Sequence, residues 1–186
     1  MAIAKNGVFL PHRTIMKIIS KVRKDTLDEL KEYLKSLVPL MTKDVSYKAT
    51  DRYRMWLFNH CDLRNGQISP AYYNERLFRF CQRVYPGCNI GLLSFGGQVN
   101  GIKSSGLIDD HRDHSYSQPI ARTVNIGEAI FRVNGVDHEL NDGQIIEFNC
   151  KQIHSLTEIR SELRFGLNLW KLNEQKGYRS ARDLKY

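Results

Sequence analysis

His111-Arg112-Asp113, then His154, then Arg164 within Leu163-Arg164-Phe165-Gly166-Leu167-Asn168-Leu169, is the part of the sequence from which fold and chemistry are both read. Two imidazoles and one carboxylate fill one face of a divalent ion such as Fe(II) and leave its other positions open. Alternate residues of a strand point the same way, so His111 and Asp113 reach one ion while Arg112 faces elsewhere. By the same rule His114 points to the opposite face and stands outside the set. The interval from Asp113 to His154 lets several strands run out and return the second imidazole to the same place. Arg164 follows ten positions later. Flanked by Leu163, Phe165, Leu167 and Leu169, it belongs deep in a sheet, where an unpaired guanidinium is costly. A carboxylate held through two parallel hydrogen bonds removes that cost. Arg160 shares the register, but Glu158 and Glu162 beside it predict a surface ion pair. The plainer alternatives are a charged surface turn at 109–114 and a hydrogen-bonded core histidine at His154.

On either side of these residues the apolar pattern alternates. Asn89 to Phe95 reads as a strand, Gly96-Gly97 as a turn, and the polar stretch Gln98 to Gly106 leads into the strand carrying His111 and Asp113. Arg122 to Ile126 alternates, and Ala129 to Val133 turns through Asn134-Gly135, a strong hairpin signal, into Val136 to Leu140. Asp142-Gly143 turns into Gln144 to Phe148, and Arg160 to Leu172 provides a closing strand. Short strands with frequent turns predict a sandwich or jelly roll. The glycines of Gln98 to Gly106, together with Ser115 to Pro119, are expected to form a lid.

The earlier part has a helical period. Asp25-Thr26 is expected to cap a helix from Leu27 to Val38 with Leu27, Leu30, Leu34, Leu37 and Val38 on its buried stripe. Ser69-Pro70 is expected to start a second helix that runs to Tyr85, with Tyr73, Leu77, Phe80, Cys81 and Val84 buried and Arg76, Arg79 and Arg83 exposed. The fold class is therefore α+β, mainly β, in a single domain over 1–186. Residues 1–88 are the helical N-terminal part, 89–172 the jelly-roll core and 173–186 a C-terminal tail.

Composition fits a folded protein, with 41% hydrophobic and 10% aromatic residues. No segment approaches the roughly 20 apolar residues of a membrane span. Charges threaded through the N-terminal residues argue against a secretory signal, so a cytoplasmic location is expected. Cys61, Cys81, Cys88 and Cys150 form no CxxC pair and are expected to be reduced; Cys150, close to His154, is expected to be a buried small hydrophobe. A net charge of +8 favours a polyanionic partner. The run Tyr47 to Trp56, basic and aromatic by turns, suits either a nucleic-acid groove or a core strand.

The order His-x-Asp, His and Arg resembles the Fe(II)- and 2-oxoglutarate-dependent dioxygenases over about Asn89 to Leu172. The resemblance implies a double-stranded β-helix of jelly-roll, cupin-like type braced by the N-terminal helices. It also implies that Asp142 to Phe148 is the strand before the distal histidine. His111, Asp113 and His154 would hold Fe(II), Arg164 would pair with the far carboxylate of 2-oxoglutarate, and Asn168, Asn89 and Ser94 are candidates for further contacts. The implied chemistry uses O2, yields succinate and CO2, and leaves a substrate hydroxylated or dealkylated. The order of Asn125-Ile126-Gly127, Ala129-Ile130-Phe131 and Asp142-Gly143 is similar to the AlkB-type nucleic-acid dealkylases. That group has an arginine where Trp170 stands here, and the short His154 to Arg164 spacing is more similar to prolyl-hydroxylase-type enzymes. The substrate is accordingly a nucleic acid, a peptide or a small molecule. Two rival classes are a cupin-like metal-binding protein without oxygenase activity, which has no need of Arg164, and a basic nucleic-acid-binding module.

Overall fold

Near Ile90 the apolar period changes from helical to alternating, and the architecture changes with it. The computed structural model describes residues 16–62 and 67–173. Strand β1 (Lys17–Lys21) is followed by helix α1 (Lys24–Leu37), a 3-10 turn (Val38–Leu40), β2 (Thr42–Lys43), β3 (Tyr53–Leu57), β4 (Asn59–Cys61) and β5 (Ile68–Pro70). Helix α2 (Glu75–Val84) then leads to β6 (Ile90–Val99), β7 (Ile102–Ser104), β8 (Ile108–His111) and β9 (Ile120–Ile126). The last five strands are β10 (Ala129–Val133), β11 (Val136–Leu140), β12 (Gln144–Asn149), β13 (His154–Ile159) and β14 (Arg164–Trp170). A large sheet has the order β1-β12-β9-β14-β6-β3-β2 with β7 paired to β6, and a smaller one the order β11-β10-β13-β8. Every pairing in the two sheets is antiparallel. This is the double-stranded β-helix expected of the resemblance, with two helices on one side.

The large sheet sends its alternate residues to two different cores. Phe165, Leu167 and Leu169 of β14, with Leu93 and Phe95 of β6, pack under Leu27, Leu30, Leu34 and Leu37 of α1 and Leu77 and Cys81 of α2. On the opposite face Leu92, Ile146, Phe148 and Trp170 meet Phe131, Val133 and Leu156 of the small sheet. The interval between the sheets holds the pocket described below.

Several local expectations are corrected. The chain before residue 89 is less helical than expected, because β1, β2 and β3 extend the large sheet. Helix α1 begins a turn early at Lys24, so Asp25 and Thr26 lie inside its first turn and the Arg23 carbonyl accepts from Leu27 N–H. Ser69-Pro70 is not a helix start. It ends β5, paired with β4, and α2 is capped by Asn74, whose side chain accepts from the N–H of Leu77. Gly96-Gly97 continues β6 rather than turning; the turn comes at Asn100-Gly101, where both φ angles are positive. Residues 98–106 are thus a hairpin tied down by Ser104, which donates to the Phe95 carbonyl and accepts from the N–H of Tyr53. Of this stretch only Gly106 borders the pocket, and no residue of 115–119 does. The segment 44–48 supplies Asp44, Ser46, Tyr47 and Lys48 to the lining instead. The Asn134-Gly135 hairpin is as expected, with positive φ at both residues and Val133 opposite Val136. The expected tail at 173–186 lies outside the described residues apart from Asn173.

Leu167 is completely buried at the centre of the sheet–helix core. Leu167→Ala is expected to lower unfolding free energy by about 2–5 kcal/mol, measured by urea titration; a loss under about 1 kcal/mol contradicts this packing.

Candidate metal centre and anion pocket

Strands β8 and β13 bring the two histidines together as direct cross-strand partners, with ring centroids 4.3 Å apart. The carbonyls of Asp109 and Gln152 accept from Nδ1 of His111 and His154 at 2.8 and 2.9 Å. A carbonyl only accepts, so both Nδ1 atoms carry a proton and both Nε2 atoms are turned toward Asp113. Asp113 Oδ1 lies 3.5 Å from Nε2 of His111 and 3.4 Å from Nε2 of His154. Ligand atoms of the three residues come within 4.8 Å of one another, and the group can hold a metal ion.

Asp113 arrives by a different route from the one its spacing implies. Strand β8 ends at His111, and Asp113 sits in the following loop, fixed by its N–H to the Cys150 carbonyl at 2.9 Å. Its Oδ2 accepts from the indole N–H of Trp170 at 2.8 Å, which turns Oδ1 toward the imidazoles. Because the strand has ended, alternation does not place His114 on the far face. Its ring borders the same cavity beside Trp170. Burial pushes its pKa down to about 4, so it is neutral at physiological pH. Arg112 is exposed at the edge of the same cavity and donates to the Lys151 carbonyl. Cys150 is wholly buried, and burial raises its thiol pKa to about 11, which keeps it a protonated hydrophobe.

The metal residues and Arg164 border one cavity of about 420 Å³. Arg164 is 4% exposed. Its Nε donates to Asn125 Oδ1 at 2.9 Å, and among the described residues no carboxylate is paired with it. Burial and the charge of Arg52 push its pKa down to about 9, which leaves it cationic at neutral pH. The guanidinium folds back over Gly166, where a Cβ would come within 2.6 Å of Nη1. Only glycine leaves that path clear. Asn168 also borders the cavity, accepting from Thr123 Oγ1 at 2.8 Å, and Ser94 lies on its wall. Asn89 does not reach it; its side chain accepts from the N–H of Leu172. Arg160 is exposed and paired with Glu139 and Glu158.

Sequence reasoning missed three residues of this cavity. Arg52, Arg54 and Trp56 are alternate residues at β3 that face the cavity, while Tyr53, Met55 and Leu57 face the helix-covered core. Asp44, buried, ties Arg52 and Arg54 together. The alternation in Arg52-Tyr53-Arg54-Met55-Trp56 carried this information, but the aromatic and basic residues read equally well as a nucleic-acid groove or as a core strand.

No protein-family model and no curated protein sequence matches the chain. Solved structures do. A prolyl hydroxylase from Trichoplax adhaerens, in complex with a hypoxia inducible factor oxygen degradation domain peptide fragment, superposes with TM-score 0.58 at 10% identity, covering 94% of this chain and 88% of that one. The fold is that of the 2OG-Fe(II) oxygenases. A Pseudomonas putida prolyl-4-hydroxylase gives TM-score 0.54 at 11% identity over 86% of this chain and 92% of its own. An oxidoreductase of the 2OG-Fe(II) oxygenase family from Burkholderia pseudomallei gives 0.52 at 13% over 84% and 83%. Among the described residues no helix is long and apolar enough to cross a membrane.

The two sides of the triad titrate in opposite directions in metal-free protein. For Asp113, burial opposes the charge, but hydrogen bonds from His111 and His154 outweigh it and hold the carboxyl well below the usual range. For His154, burial again opposes the charge, and Asp113 outweighs it, so its pKa lies above the ordinary 6.5. A raised folded-state pKa means that this contact stabilises in full below about 6.5 and is lost as pH rises through the folded value. The melting temperature of metal-free protein is expected to fall as pH is raised above 6.5, while apparent affinity for Co(II) rises over the same interval as the proton leaves Nε2. His154→Gln should flatten both curves. A Co(II) affinity that does not change with pH would remove His154 from the ligand set.

Proposed function

We propose that this protein is an Fe(II)- and 2-oxoglutarate-dependent dioxygenase that hydroxylates or oxidatively dealkylates a C–H bond of its substrate, with decarboxylation to succinate and CO2. The observation that carries the reading is the placement, around one cavity, of a His-Asp-His group and a buried guanidinium that no carboxylate among the described residues satisfies. A metal site alone has no use for Arg164. A dicarboxylate that chelates the metal at one end accounts for both.

In this reading Nε2 of His111, Nε2 of His154 and Asp113 Oδ1 hold Fe(II), and Arg164 takes the far carboxylate of 2-oxoglutarate. When bound, metal and cosubstrate supply the O2 activation and the oxidative decarboxylation. The chain supplies orientation and dryness. Trp170 aims Asp113. Asn125, fully buried, donates to the carbonyls of Gly127 and Asn141 while accepting from Arg164, and so fixes the direction of the guanidinium. Asn168 stands on the cavity wall as a further contact to the cosubstrate. Phe131, Ile146, Phe148 and Leu156 keep water from the remaining wall.

Anaerobic addition of Fe(II) and then 2-oxoglutarate to metal-free protein is expected to produce the weak visible charge-transfer band of a chelated keto acid. His154→Ala should abolish it. Arg164→Ala removes a charged hydrogen-bond partner worth ~2 kcal/mol and should raise the half-saturating 2-oxoglutarate concentration about 30-fold. Gly166→Ala should weaken 2-oxoglutarate in the same direction while leaving Co(II) affinity intact, since the three atoms nearest the new methyl all belong to the Arg164 guanidinium. Stoichiometric metal binding with no band identifies instead a cupin-like metal protein without oxygenase activity.

A further inference from the structure

The β3 wall of the cavity carries more positive charge than the proposed cosubstrate can neutralise. Lys48, Arg52, Arg54, Arg112 and Arg164 border the cavity against Asp44 and Asp113. Two of these cations are set aside: Arg112 is exposed and bonded to the Lys151 carbonyl, and the Lys48 ammonium rests 5.2 Å from the ring of the highly exposed Tyr47. Three guanidiniums remain. A divalent ion, Asp113, a 2-oxoglutarate dianion and Arg164 neutralise one another, which leaves Arg52, Arg54 and Asp44 with one uncompensated positive charge.

The geometry says where that charge is available. Asp44 is shared, with Oδ2 3.2 Å from Arg52 Nη1 and Oδ1 2.9 Å from Arg54 Nε. Arg52 is 5% exposed, and its Nε has no hydrogen-bond partner. Arg54 meets Asp44 at Nε; its guanidinium carbon lies 5.3 Å from the ring of Trp56, and its side chain keeps 21% of its surface open. Asp44 is the one carboxylate paired with Arg54 among the described residues, and Arg52 shares it. In the sheet Arg54 is opposite Ser94, and Ser94 is opposite Gly166, over which the Arg164 guanidinium folds. Arg54 and Arg164 therefore flank one row of the cavity floor, two strands apart, with Arg52 close enough for its charge to act on both. A buried or half-buried cation with free donors is satisfied by an oxyanion that accepts both hydrogen bonds in the plane of the fork.

We infer that the substrate of this site is a small organic acid whose carboxylate or phosphate is held by the terminal nitrogens of Arg54, backed by Arg52, so that the C–H bond to be oxidised lies between Arg54 and the metal residues. The inference rests on the dioxygenase reading for the chemistry but not for the anion site itself. The size of the cavity supports a small acid: about 420 Å³ lies near the lower end of ligand pockets, roughly 300–1,000 Å³, and the cosubstrate takes part of it. Trp56 offers an apolar face beside the acid group, so the acid is expected to carry an alkyl or aryl portion next to it.

Both tryptophans of the chain, Trp56 and Trp170, border the cavity, so intrinsic fluorescence reports directly on its occupancy. The test is an anaerobic fluorescence titration of protein saturated with Fe(II) and 2-oxoglutarate, using butyrate and methyl phosphate as probes and butyramide as the neutral control. The expected result is a saturable change with one or both anions, with butyramide at least tenfold weaker. The tighter of the two anions identifies the acid as carboxylate or phosphate. Arg54→Gln should weaken the anion at least tenfold, and Arg54→Lys should recover part of the loss. The keto-acid band should be the same in both variants as in the parent, which also shows that they are folded. The inference is overturned by equal response to butyramide, by no saturable response to either anion, by Arg54→Gln binding as tightly as the parent, or by loss of the keto-acid band in Arg54→Gln, which would place Arg54 on the cosubstrate. A parent that forms no keto-acid band yet binds butyrate through Arg54 keeps the anion site and loses only the dioxygenase reading.

Discussion

A buried carboxylate with no partner is among the costliest groups a fold can carry, and Asp113 is where this fold meets that cost. Its oxygens face an indole N–H from β14 and imidazoles from β8 and β13, and its backbone is fixed to the Cys150 carbonyl at the end of β12. Three strands of two different sheets thus converge on one side chain. Removing it leaves two inward-facing imidazoles and an indole donor with nothing to accept from them.

The second constraint is a division of labour within single strands. β14 sends Phe165, Leu167 and Leu169 to the core beneath the helices and Arg164, Gly166, Asn168 and Trp170 toward the cavity or its floor. β3 repeats the division with Met55 and Leu57 against Arg52, Arg54 and Trp56. The helices stabilise the first face so that the second is free to carry charge. The apolar stripe of α1 is therefore connected to the chemistry by one layer of backbone.

Much of this was legible in the sequence, and the reason is local. Alternation over β9 to β12, the Asn134-Gly135 turn and the burial of Arg164 among leucines are written in neighbouring residues, and they gave the jelly roll and the residues around its mouth. What was not legible depends on where a strand stops. His111-Arg112-Asp113 was read as one strand, but β8 ends at His111, so Asp113 reaches the site from a loop and His114 joins the cavity wall instead of leaving it. Ser69-Pro70 carries a helix-start signature, yet the pairing of β5 with β4 overrides it. Asn89 stands just before β6, beside Leu172 rather than beside the cavity. Arg52 and Arg54 were hidden for another reason. No short-range signal distinguishes a basic strand facing a cavity from one facing solvent; the difference is made by β6 and the segment 44–48 folding around it.

The hydrogen bonds behind the two imidazoles run to main-chain carbonyls, those of Asp109 and Gln152, and not to side chains. Every amino acid supplies a carbonyl, so the tautomer and aim of each histidine are indifferent to which residue stands at 109 or 152. The orientation of the metal group is thus stored in backbone shape, where substitutions cannot easily erase it. Such an arrangement tolerates wide sequence change, in keeping with a fold shared with solved structures at 10–13% identity.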